Sequence, residues 1–429
     1  MVFLRRERLS RTFSRPHMDV VFFTFFRTDN PYSSISLSMA KELAKHHRVF
    51  YVNHPYSVKD VVQGLREGDA DMRRRIPGFL GGRTQYESLD TIPENFVSVV
   101  PPVLLPLNWL PKGRMFRFFR DLQNAVVLRT IRKTLRDHQV RNFLYINCFD
   151  MIYAGALPAD MGASLRIYHC IDDITDDPYL GKHGMELEHE AMRDADITFV
   201  TSTNLFRLMR PHAEHLVKYF NAADVDNFTQ VRTRTYPRPQ ELAGRSGQVI
   251  GFIGNLDFKR IDFKLLRQVA LAYPDKTLLL IGPITSSGPK DEGLDQLPNV
   301  VLAGSRRLHE LPPLMQHMDC LLIPFLLNRM TSSIYPLKIN EYLAAGKPVV
   351  STNFSEDIRT FADHIYLAAD QEDYVRLVGV ALAENDPLGQ QRRAEVAATN
   401  TWEARIRQLW EVVDEHTAPA TRASAEMPA

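Results

Sequence analysis

The feature that most constrains this chain is an alternation of short apolar runs with helical patterns, which begins at residue 18. In the first half, runs such as MDVVFFTFF and RVFYVN alternate with stretches such as SISLSMAKELAKHH. The second half repeats the pattern with QVIGFIG, FKLLRQVALAYP and KTLLLIG. Such alternation predicts parallel strands joined by crossover helices. We therefore expect an α/β fold with two doubly wound, Rossmann-like lobes and a ligand-binding cleft between them.

The length of 429 residues allows two hydrophobic cores. A polar stretch at 223–247 contains Pro237 and Pro239, lacks helical or strand periodicity, and is interpreted as the linker between the lobes. The predicted parts are a basic leader at 1–17, an N-terminal lobe at 18–222, the linker, a C-terminal lobe at 248–400, a helix at 401–416 and a disordered tail at 417–429.

Charge and apolar composition exclude several classes of protein. The 52 basic and 51 acidic residues give a net charge of +1, so the chain has no global field that would favour nucleic acid as a partner. The apolar stretch at 97–111 contains four prolines and cannot form a membrane-spanning helix. The arginine-rich leader lacks the apolar core of a secretory signal; it is either a lipid-binding arm or, as we prefer, disordered. These features predict a cytoplasmic protein.

The three cysteines, Cys148, Cys170 and Cys320, each lie in an apolar run that reads as a strand. They are far apart in sequence and do not have the spacing of a zinc site or a disulfide framework. We expect buried, reduced thiols.

The most informative motif is TSSIYPLKINEYLAAGKPVVST at 331–352. Pro336 suits the first turn of a helix, which we expect to begin near 335 and to end at Gly346. The unpaired N–H groups and the dipole at such a helix start attract phosphate, and Lys338 adds a full charge. Glu341 lies on the same helix face and can accept the two hydroxyls of a ribose. Together these residues fit a nucleotide diphosphate. The alternative is an amphipathic helix with a solvated lysine and glutamate.

The run PLK..EYLAAGKPVV, preceded by DCLLIPF, LIGP and PNVVLAG, resembles the donor-binding half of GT-B glycosyltransferases of the bacterial cell-surface polysaccharide type. The resemblance is to families 1 and 4 and their teichuronic-acid-type subfamily, and it spans most of 248–385. It implies that Glu341 contacts the ribose and that residues just before the helix contact the diphosphate and the donor sugar. Many retaining members carry a glutamate where this chain has Ser333, so the stereochemical outcome stays open.

A second motif, GFIGNLDFKRIDFKLL at 251–266, follows an apolar strand. Its Gly254 and Asn255 allow close approach of a ligand, and Arg260 can reach phosphate, with Asp262 orienting the arginine. A strand-to-helix turn with surface charge is the equally plain alternative. The residues predicted to bind the donor are Gly254, Asn255, Arg260, Asp262, Ser332, Ser333, Tyr335, Pro336, Leu337, Lys338 and Glu341.

Glycosyl transfer needs a group that deprotonates the acceptor hydroxyl. Asp172 and Asp173 directly follow the predicted strand LRIYHC and are the predicted catalytic residues, with helix capping as the alternative. Together with Asp176 and Asp177 they also suggest a metal site of the GT-A kind. We reject that interpretation because Lys338 and helix N–H groups can neutralise a leaving diphosphate, so we expect no metal and no cofactor.

Two segments of the N-terminal half are assigned to the acceptor. Asn30, Tyr32 and Ser33 lie where the acceptor or the donor pyrophosphate would pass, although the serines around Ser33 also suit the N-cap of a helix beginning near Ile35. The segment 104–137 mixes aromatic and basic residues, which suits contact with anionic lipid that presents a lipid-linked acceptor. A buried helix with a solvated basic face explains the same residues.

The sequence therefore predicts a glycosyltransferase that uses a nucleotide diphosphate sugar and a saccharide or lipid-linked acceptor in surface polysaccharide or glycolipid synthesis. Two alternatives remain: a nucleotide-sugar epimerase on the same fold, and a non-catalytic scaffold that binds sugar nucleotides. The base, the sugar, the acceptor and the oligomeric state are not predicted.

Overall fold

The structure is a computed structural model that describes residues 18–29, 34–89 and 92–417. These residues form two compact units. Unit 1 contains residues 18–29, 36–169 and 182–197 of the described chain, and unit 2 contains 34–35, 170–181 and 198–417. The predicted leader, and the predicted tail beyond residue 417, lie outside the described residues.

Unit 1 contains, wholly or mostly, six strands and five α-helices among the described residues. The strands are β1 (Asp19–Thr24), β2 (Val49–Asn53), β3 (Gln85–Glu87), β4 (Phe96–Val100), β5 (Phe143–Cys148) and β6 (Ala163–Cys170). The helices are α1 (Ile35–Ala44), α2 (Val58–Glu67), α3 (Ala70–Leu80), α4 (Arg114–Asp137) and α5 (Gly184–Asp194).

The six strands of unit 1 run in the order β3-β4-β2-β1-β5-β6. Only the short β3 is antiparallel to its neighbour among these pairs of described strands. The 24-residue helix α4 packs Val127, Ile131 and Leu135 against strand residues such as Val21 and Tyr145 in one buried cluster. The strand order reverses between β1 and β5, so the sheet has a topological switch point there.

Unit 2 contains, wholly or mostly, eight strands and eleven α-helices among the described residues. The strands are β7 (Ile197–Val200), β8 (Leu216–Lys218), β9 (Val249–Ile253), β10 (Thr277–Ile281), β11 (Val300–Gly304), β12 (Cys320–Ile323), β13 (Val349–Thr352) and β14 (Tyr366–Ala368). The helices are α6 (Thr203–Met209), α7 (Val225–Thr233), α8 (Phe263–Ala272), α9 (Gly288–Asp291), α10 (Leu311–Met315), α11 (Arg329–Ser332), α12 (Leu337–Ala344), α13 (Glu356–Arg359), α14 (Gln371–Leu382), α15 (Pro387–Ala398) and α16 (Trp402–Thr417).

Six strands of unit 2 form a parallel sheet in the order β11-β10-β9-β12-β13-β14. Its strands are apolar on both faces. Along β9, Val249 and Ile253 belong to one buried cluster, whereas Ile250 and Phe252 belong to a second cluster. Helices therefore cover both faces, as the sequence predicts for a parallel sheet. The switch point of this sheet lies between β9 and β12.

The segment at 223–247 differs from the prediction because it contains helix α7. Val225, Phe228 and Val231 are buried in the core of unit 2, and the side chain of Asp224 caps the helix by accepting from the Asn227 N–H. These three apolar residues have helical spacing, so the description of the segment as lacking periodicity was wrong at this place.

The predictions for the cysteines and for the C-terminal helix agree with the structure. All three cysteines are buried, and the predicted C-terminal helix is α16. Within the part of the chain that the structure describes, every helix is too short or too polar to cross a bilayer.

Candidate functional site

The start of α12 is a helix end without a side-chain cap. Pro336 is the N-cap residue, two positions before the predicted lysine, and no side chain caps this end. At the other end, Gly346 adopts a φ of 72°, a left-handed conformation that stops the helix where the sequence predicts. The helix itself begins at Leu337, two residues later than predicted. Its first turn can therefore bind an anion.

Lys338 and Glu341 are in direct contact one turn into α12. The Lys338 Nζ lies 2.8 Å from Glu341 Oε2. The Glu341 side chain is only 4% exposed, whereas that of Lys338 is 27% exposed. A buried carboxylate held by a single lysine is not the solvated pair of an ordinary amphipathic helix.

The residues just before α12 are engaged within their own loop. Ser333 is buried, and its hydroxyl accepts a hydrogen bond of 2.9 Å from the Asn204 side chain. The Ser332 hydroxyl donates to the Arg329 carbonyl at 2.7 Å. The N–H groups of both serines donate to loop carbonyls as well. The expectation that these hydroxyls and amides are open donors for the ligand is therefore corrected, because the turn of α11 uses them.

Tyr335 is also turned inward. Its ring is 5% exposed and stacks on Phe220 at a centroid distance of 5.1 Å. Burial raises the pKa of its hydroxyl, which receives a hydrogen bond from Asn340. Its predicted contact with the donor is not available to this side chain, since the ring fills the core beside the helix.

The loop after β9 brings its glycine close to the neighbouring strand end. The Gly254 N–H donates to the Ile281 carbonyl at 2.8 Å. A Cβ on Gly282 would lie 1.8 Å from the Gly254 carbonyl oxygen. The close approach of the two backbone segments therefore requires a glycine at position 282. Asn255 is exposed and accepts from the Thr285 hydroxyl at 2.8 Å.

Asp262 does not orient Arg260, in contrast to the prediction. Its carboxylate caps α8 by accepting from the Leu265 N–H at 2.9 Å, and it also accepts from Gln371 at 2.8 Å. Asp262 precedes a helix directly, and a capping carboxylate is the usual outcome at such a position. Arg260 instead faces Asp172, with Nη2 3.9 Å from Oδ2.

Asp172 and Asp173 each face an arginine. Asp173 accepts from the Thr175 N–H at 2.9 Å and from its hydroxyl, and its Oδ2 lies 3.4 Å from Arg329 Nε. Desolvation raises the pKa of Asp172, Arg260 lowers it and the Asp173 charge raises it. Neither carboxylate caps an α-helix. Arg329, which the sequence analysis did not single out, forms the second pair. It directly follows Asn328 in the loop after β12, and no sequence pattern marks it.

The two loops at the switch point of unit 2 are joined. The Leu326 N–H donates to the Arg260 carbonyl at 2.8 Å, and the Asn328 side chain donates to the Lys259 carbonyl at 2.9 Å. The loop after β9 and the loop after β12 are thus one connected structure. The loop after β9 carries Lys259 and Arg260, and the loop after β12 carries Arg329. Lys338 lies in the first turn of α12, which follows the second loop.

The acidic side chains after β6 do not form a metal-binding group within the described residues. Across 18–29, 34–89 and 92–417, no group of three or more His, Cys, Asp or Glu side chains has the arrangement of a metal site. Asp177 is used by its own turn, accepting from the N–H groups of Tyr179 and Leu180. The expectation that no metal is needed remains a prediction.

The predicted acceptor residues Asn30, Tyr32 and Ser33 lie outside the described residues. Helix α1 does begin at Ile35, where the sequence predicts a helix start.

Helix α4 turns an apolar stripe outward. Met115, Phe118, Phe119 and Leu122 are between 40% and 60% exposed, and their spacing places them on one helix face. We call these four residues the α4 outer stripe. Phe116, by contrast, is buried and stacks on His183 at 3.7 Å. The two phenylalanines beside Arg117 therefore have different environments.

Comparison with known proteins agrees with this geometry. Residues 247–383, which include both loops and α12, match the family described as "Glycosyl transferases group 1". The putative teichuronic acid biosynthesis glycosyltransferase TuaH of Bacillus subtilis is 34% identical over 173 residues. The match covers 39% of this chain and 43% of TuaH, so it spans less than half the length of that relative.

Two solved structures extend the likeness over the whole fold. Sucrose-phosphate synthase from Thermosynechococcus elongatus is 13% identical with a TM-score of 0.64, and the match covers 94% of this chain and 100% of that one. Anabaena HepE, solved in complex with UDP and glucose, is 13% identical with a TM-score of 0.58, covering 93% and 100% of the two chains. The chain therefore has the GT-B fold, and its segment 247–383 matches the model of the group 1 glycosyl transferases.

Proposed function

We propose that this protein transfers a sugar from a nucleotide diphosphate sugar to a saccharide acceptor. The observation that carries the proposal is the presence of Arg260 and Arg329 on the joined loops of unit 2, together with Lys338 in the first turn of a helix that no side chain caps. Ligands of open α/β sheets bind at the carboxyl ends of the strands, at the switch point. A diphosphate is the ligand whose charge suits this place.

In this proposal Lys338 and Glu341 bind different parts of the nucleotide. An ammonium group has three donors, so Lys338 can keep its hydrogen bond to Glu341 and still donate to phosphate oxygens. The Glu341 carboxylate accepts hydrogen bonds from the ribose hydroxyls. These bonds would stabilise its buried charge. Gly254 and Asn255 let the ligand approach the loop after β9, while Pro336 and Leu337 supply the helix start.

Asp172 and Asp173 act on the donor side in this account. Each carboxylate holds one arginine of the pair Arg260 and Arg329. Charge grows on the leaving diphosphate during transfer, and oriented cations stabilise it. This positioning role differs from the predicted one, which is deprotonation of the acceptor hydroxyl. With this charge available from side chains, we propose that the reaction needs no metal or other cofactor.

We further propose a lipid-linked acceptor and a role in surface polysaccharide or glycolipid synthesis. The similarity to TuaH, a putative teichuronic acid biosynthesis glycosyltransferase, supports the pathway class. The α4 outer stripe, with exposed Trp109 before it and exposed Lys112 and Arg114 beside it, supports peripheral contact with an anionic membrane from the cytoplasmic side.

Thermal shift with nucleotide diphosphates tests the donor site. Wild-type protein is melted alone and with UDP, GDP, ADP and their glucose conjugates. We expect the nucleotides of one nucleobase to stabilise the fold by about 2.7 kcal/mol when the ligand concentration is a hundred times Kd. Lys338→Ala should lose most of that stabilisation.

Lys264→Ala is the matched control, because Lys264 is an exposed lysine on α8 of the same unit. It should keep the full shift. If Lys338→Ala keeps the same shift as this control, the proposed donor site is wrong.

A further inference from the structure

The first turn of α6 contacts the loop that carries α11. Asn204 is the second residue of α6. Its side-chain nitrogen lies 2.9 Å from the Ser333 hydroxyl and 3.4 Å from the Ser332 hydroxyl. All three residues belong to unit 2, although α6 and the loop are far apart in sequence. The contact therefore joins two separate segments of this unit beside the donor site.

The neighbouring hydrogen bonds decide how the Asn204 amide is oriented. The Ser332 hydroxyl donates to the Arg329 carbonyl at 2.7 Å, and the Ser333 hydroxyl donates to the same carbonyl at 3.4 Å. A hydroxyl group has one proton, so each serine oxygen can only accept from the amide. The NH₂ group of Asn204 must therefore face the serines.

Helix α11 depends on such outside contacts because it is a single turn of four residues. A helix of this length is not stable by itself in water. Its start is capped within the loop, where the Asn328 side chain accepts from the Thr331 N–H at 2.8 Å. Its end is held by the serine hydroxyls, and Asn204 binds these from outside the loop.

Helix α6 is itself fixed to the edge of the sheet of unit 2. The Asp357 carboxylate, in α13 after β13, accepts from the Thr203 N–H at 2.9 Å and from the Thr203 hydroxyl at 2.6 Å. Asp357 is buried. Arg207, one turn further along α6, pairs with Glu356. Asn204 therefore projects from a helix turn that is held in place by the sheet edge.

Arg329 is the residue of α11 that the donor site uses. Its Nε lies 3.4 Å from Asp173 Oδ2, and its Nη2 donates to the Thr175 hydroxyl at 3.0 Å. The carbonyl of the same residue accepts from both serines. A displacement of the α11 turn would therefore move this guanidinium away from its place.

We propose that Asn204 is a positioning residue for the donor diphosphate and that it acts through Arg329. The inference rests on the proposed donor site and names the residue that sets the geometry of one of its cations. The amide holds Ser332 and Ser333 on the Arg329 carbonyl, so the guanidinium is in place before the ligand arrives. Binding to a site that is already ordered costs less conformational entropy.

Two substitutions of Asn204 test the proposal by isothermal titration calorimetry. The ligand is whichever of UDP, GDP and ADP gives the largest thermal shift with the wild type. Asn204→Ala removes both hydrogen bonds, and we expect Kd to rise about tenfold. Asn204→Asp keeps the shape of the side chain, but its carboxylate cannot donate to the serines and adds a negative charge. Its loss of affinity should be at least as large.

Asn299→Ala is the matched control. The Asn299 side chain also donates twice within unit 2, to the carbonyls of Ala270 at 2.9 Å and Tyr273 at 3.2 Å. Asn299 directly precedes β11, so it lies at the amino ends of the strands, away from the donor site. This variant should have a lower Tm than the wild type and an unchanged Kd, which separates a loss of stability from a loss of positioning.

A double-mutant cycle with Arg329→Ala tests whether Asn204 acts through the arginine. In the Arg329→Ala background, we expect Asn204→Ala to change Kd by no more than about threefold, because the group that it positions is missing. The same tenfold loss in both backgrounds would overturn the proposal. So would a wild-type Kd in both Asn204→Ala and Asn204→Asp. Wild-type protein that binds none of the three nucleotides would instead contradict the proposed function itself.

Discussion

His169 is a buried histidine whose pKa is lowered by the fold. It lies in β6, fully buried, with Nδ1 3.7 Å from the sulfur of Cys148. Desolvation lowers its pKa to about 3. This is the core histidine that a strand position suggests, and it is separate from the donor site.

A pH titration of stability tests this assignment. In the unfolded chain His169 binds a proton below its ordinary pKa of about 6.5, but the folded protein does not bind it until pH falls to about 3. The free energy of unfolding should therefore fall with decreasing pH in this window, by about 1.4 kcal/mol per pH unit from this residue.

His169→Gln should lack that part of the slope. Urea unfolding at pH 7.5, 6.0 and 5.0 would show the difference in stability between wild type and variant moving in favour of the variant as pH falls. His46→Gln, an exposed site, should run parallel to the wild type. Parallel curves for His169→Gln would contradict the assignment.

The sequence was informative about residues whose role depends on near neighbours. Lys338 and Glu341 are one turn apart, and the structure brings them together as the helical spacing predicts. It was less informative where a side chain has several possible partners. Asp262 caps its own helix, and Ser333 binds Asn204, which is far away in sequence. Such long-range partners leave no local pattern.

The same reasoning explains why the pairs of Asp172 with Arg260 and of Asp173 with Arg329 were not foreseen. The aspartates were correctly located after a strand, β6. Their arginines come from the loops after β9 and β12, which are far away in sequence.

At the scale of elements, α4 has two apolar faces with different environments. Its inner face packs Val127 and Ile131 in the core of unit 1, while the α4 outer stripe is exposed. The predicted mixture of aromatic and basic residues was correct, but the sequence did not show which phenylalanine faces outward.

Replacing two residues of the stripe tests its role. Phe118→Ser with Phe119→Ser should weaken sedimentation with vesicles of anionic phospholipid by tenfold or more, since each buried phenylalanine contributes about 1.5–3 kcal/mol. Binding by the wild type should also weaken with added salt. Leu388→Ser, at a leucine that is 65% exposed on α15, is the control and should bind like the wild type. Equal binding by the double variant would exclude the stripe as the membrane contact.

The turn between β10 and the following loop is a second element on which the donor site depends. Gly282 has a φ of 147°, and its missing Cβ leaves room for the Gly254 carbonyl. We expect Gly282→Ala to destabilise the protein by about 3 kcal/mol or more, because backbone must move.

Gly293→Ala provides the comparison, because Gly293 also has a positive φ, 63°, but no atom lies within 4 Å of its added Cβ. It should cost only about 1 kcal/mol. Differential scanning calorimetry of both variants measures the two costs. Equal losses would mean that close approach to Gly254 is not what requires the glycine.

For the molecule as a whole, the alternation of strands and helices predicted the fold class correctly. The α/β fold, the parallel sheets and the likeness to GT-B glycosyltransferases are confirmed. Parallel strands have to be buried on both faces, so their apolar runs are easy to recognise. Helix α7 was missed because its three apolar residues lie in a polar, proline-containing stretch, where composition concealed the helical spacing.

Both units use the same physical rule, with a reversal of strand order that opens a site at the carboxyl ends of the strands. In unit 2 this edge carries Arg260 and Arg329.

The structure of a complex tests the central claim most directly. The protein is crystallised with the nucleotide diphosphate that gives the largest thermal shift. We expect a phosphate oxygen within about 3 Å of the Lys338 Nζ, and ribose hydroxyls on the Glu341 carboxylate. A nucleotide bound elsewhere, with Lys338 still turned only toward Glu341, would contradict the account.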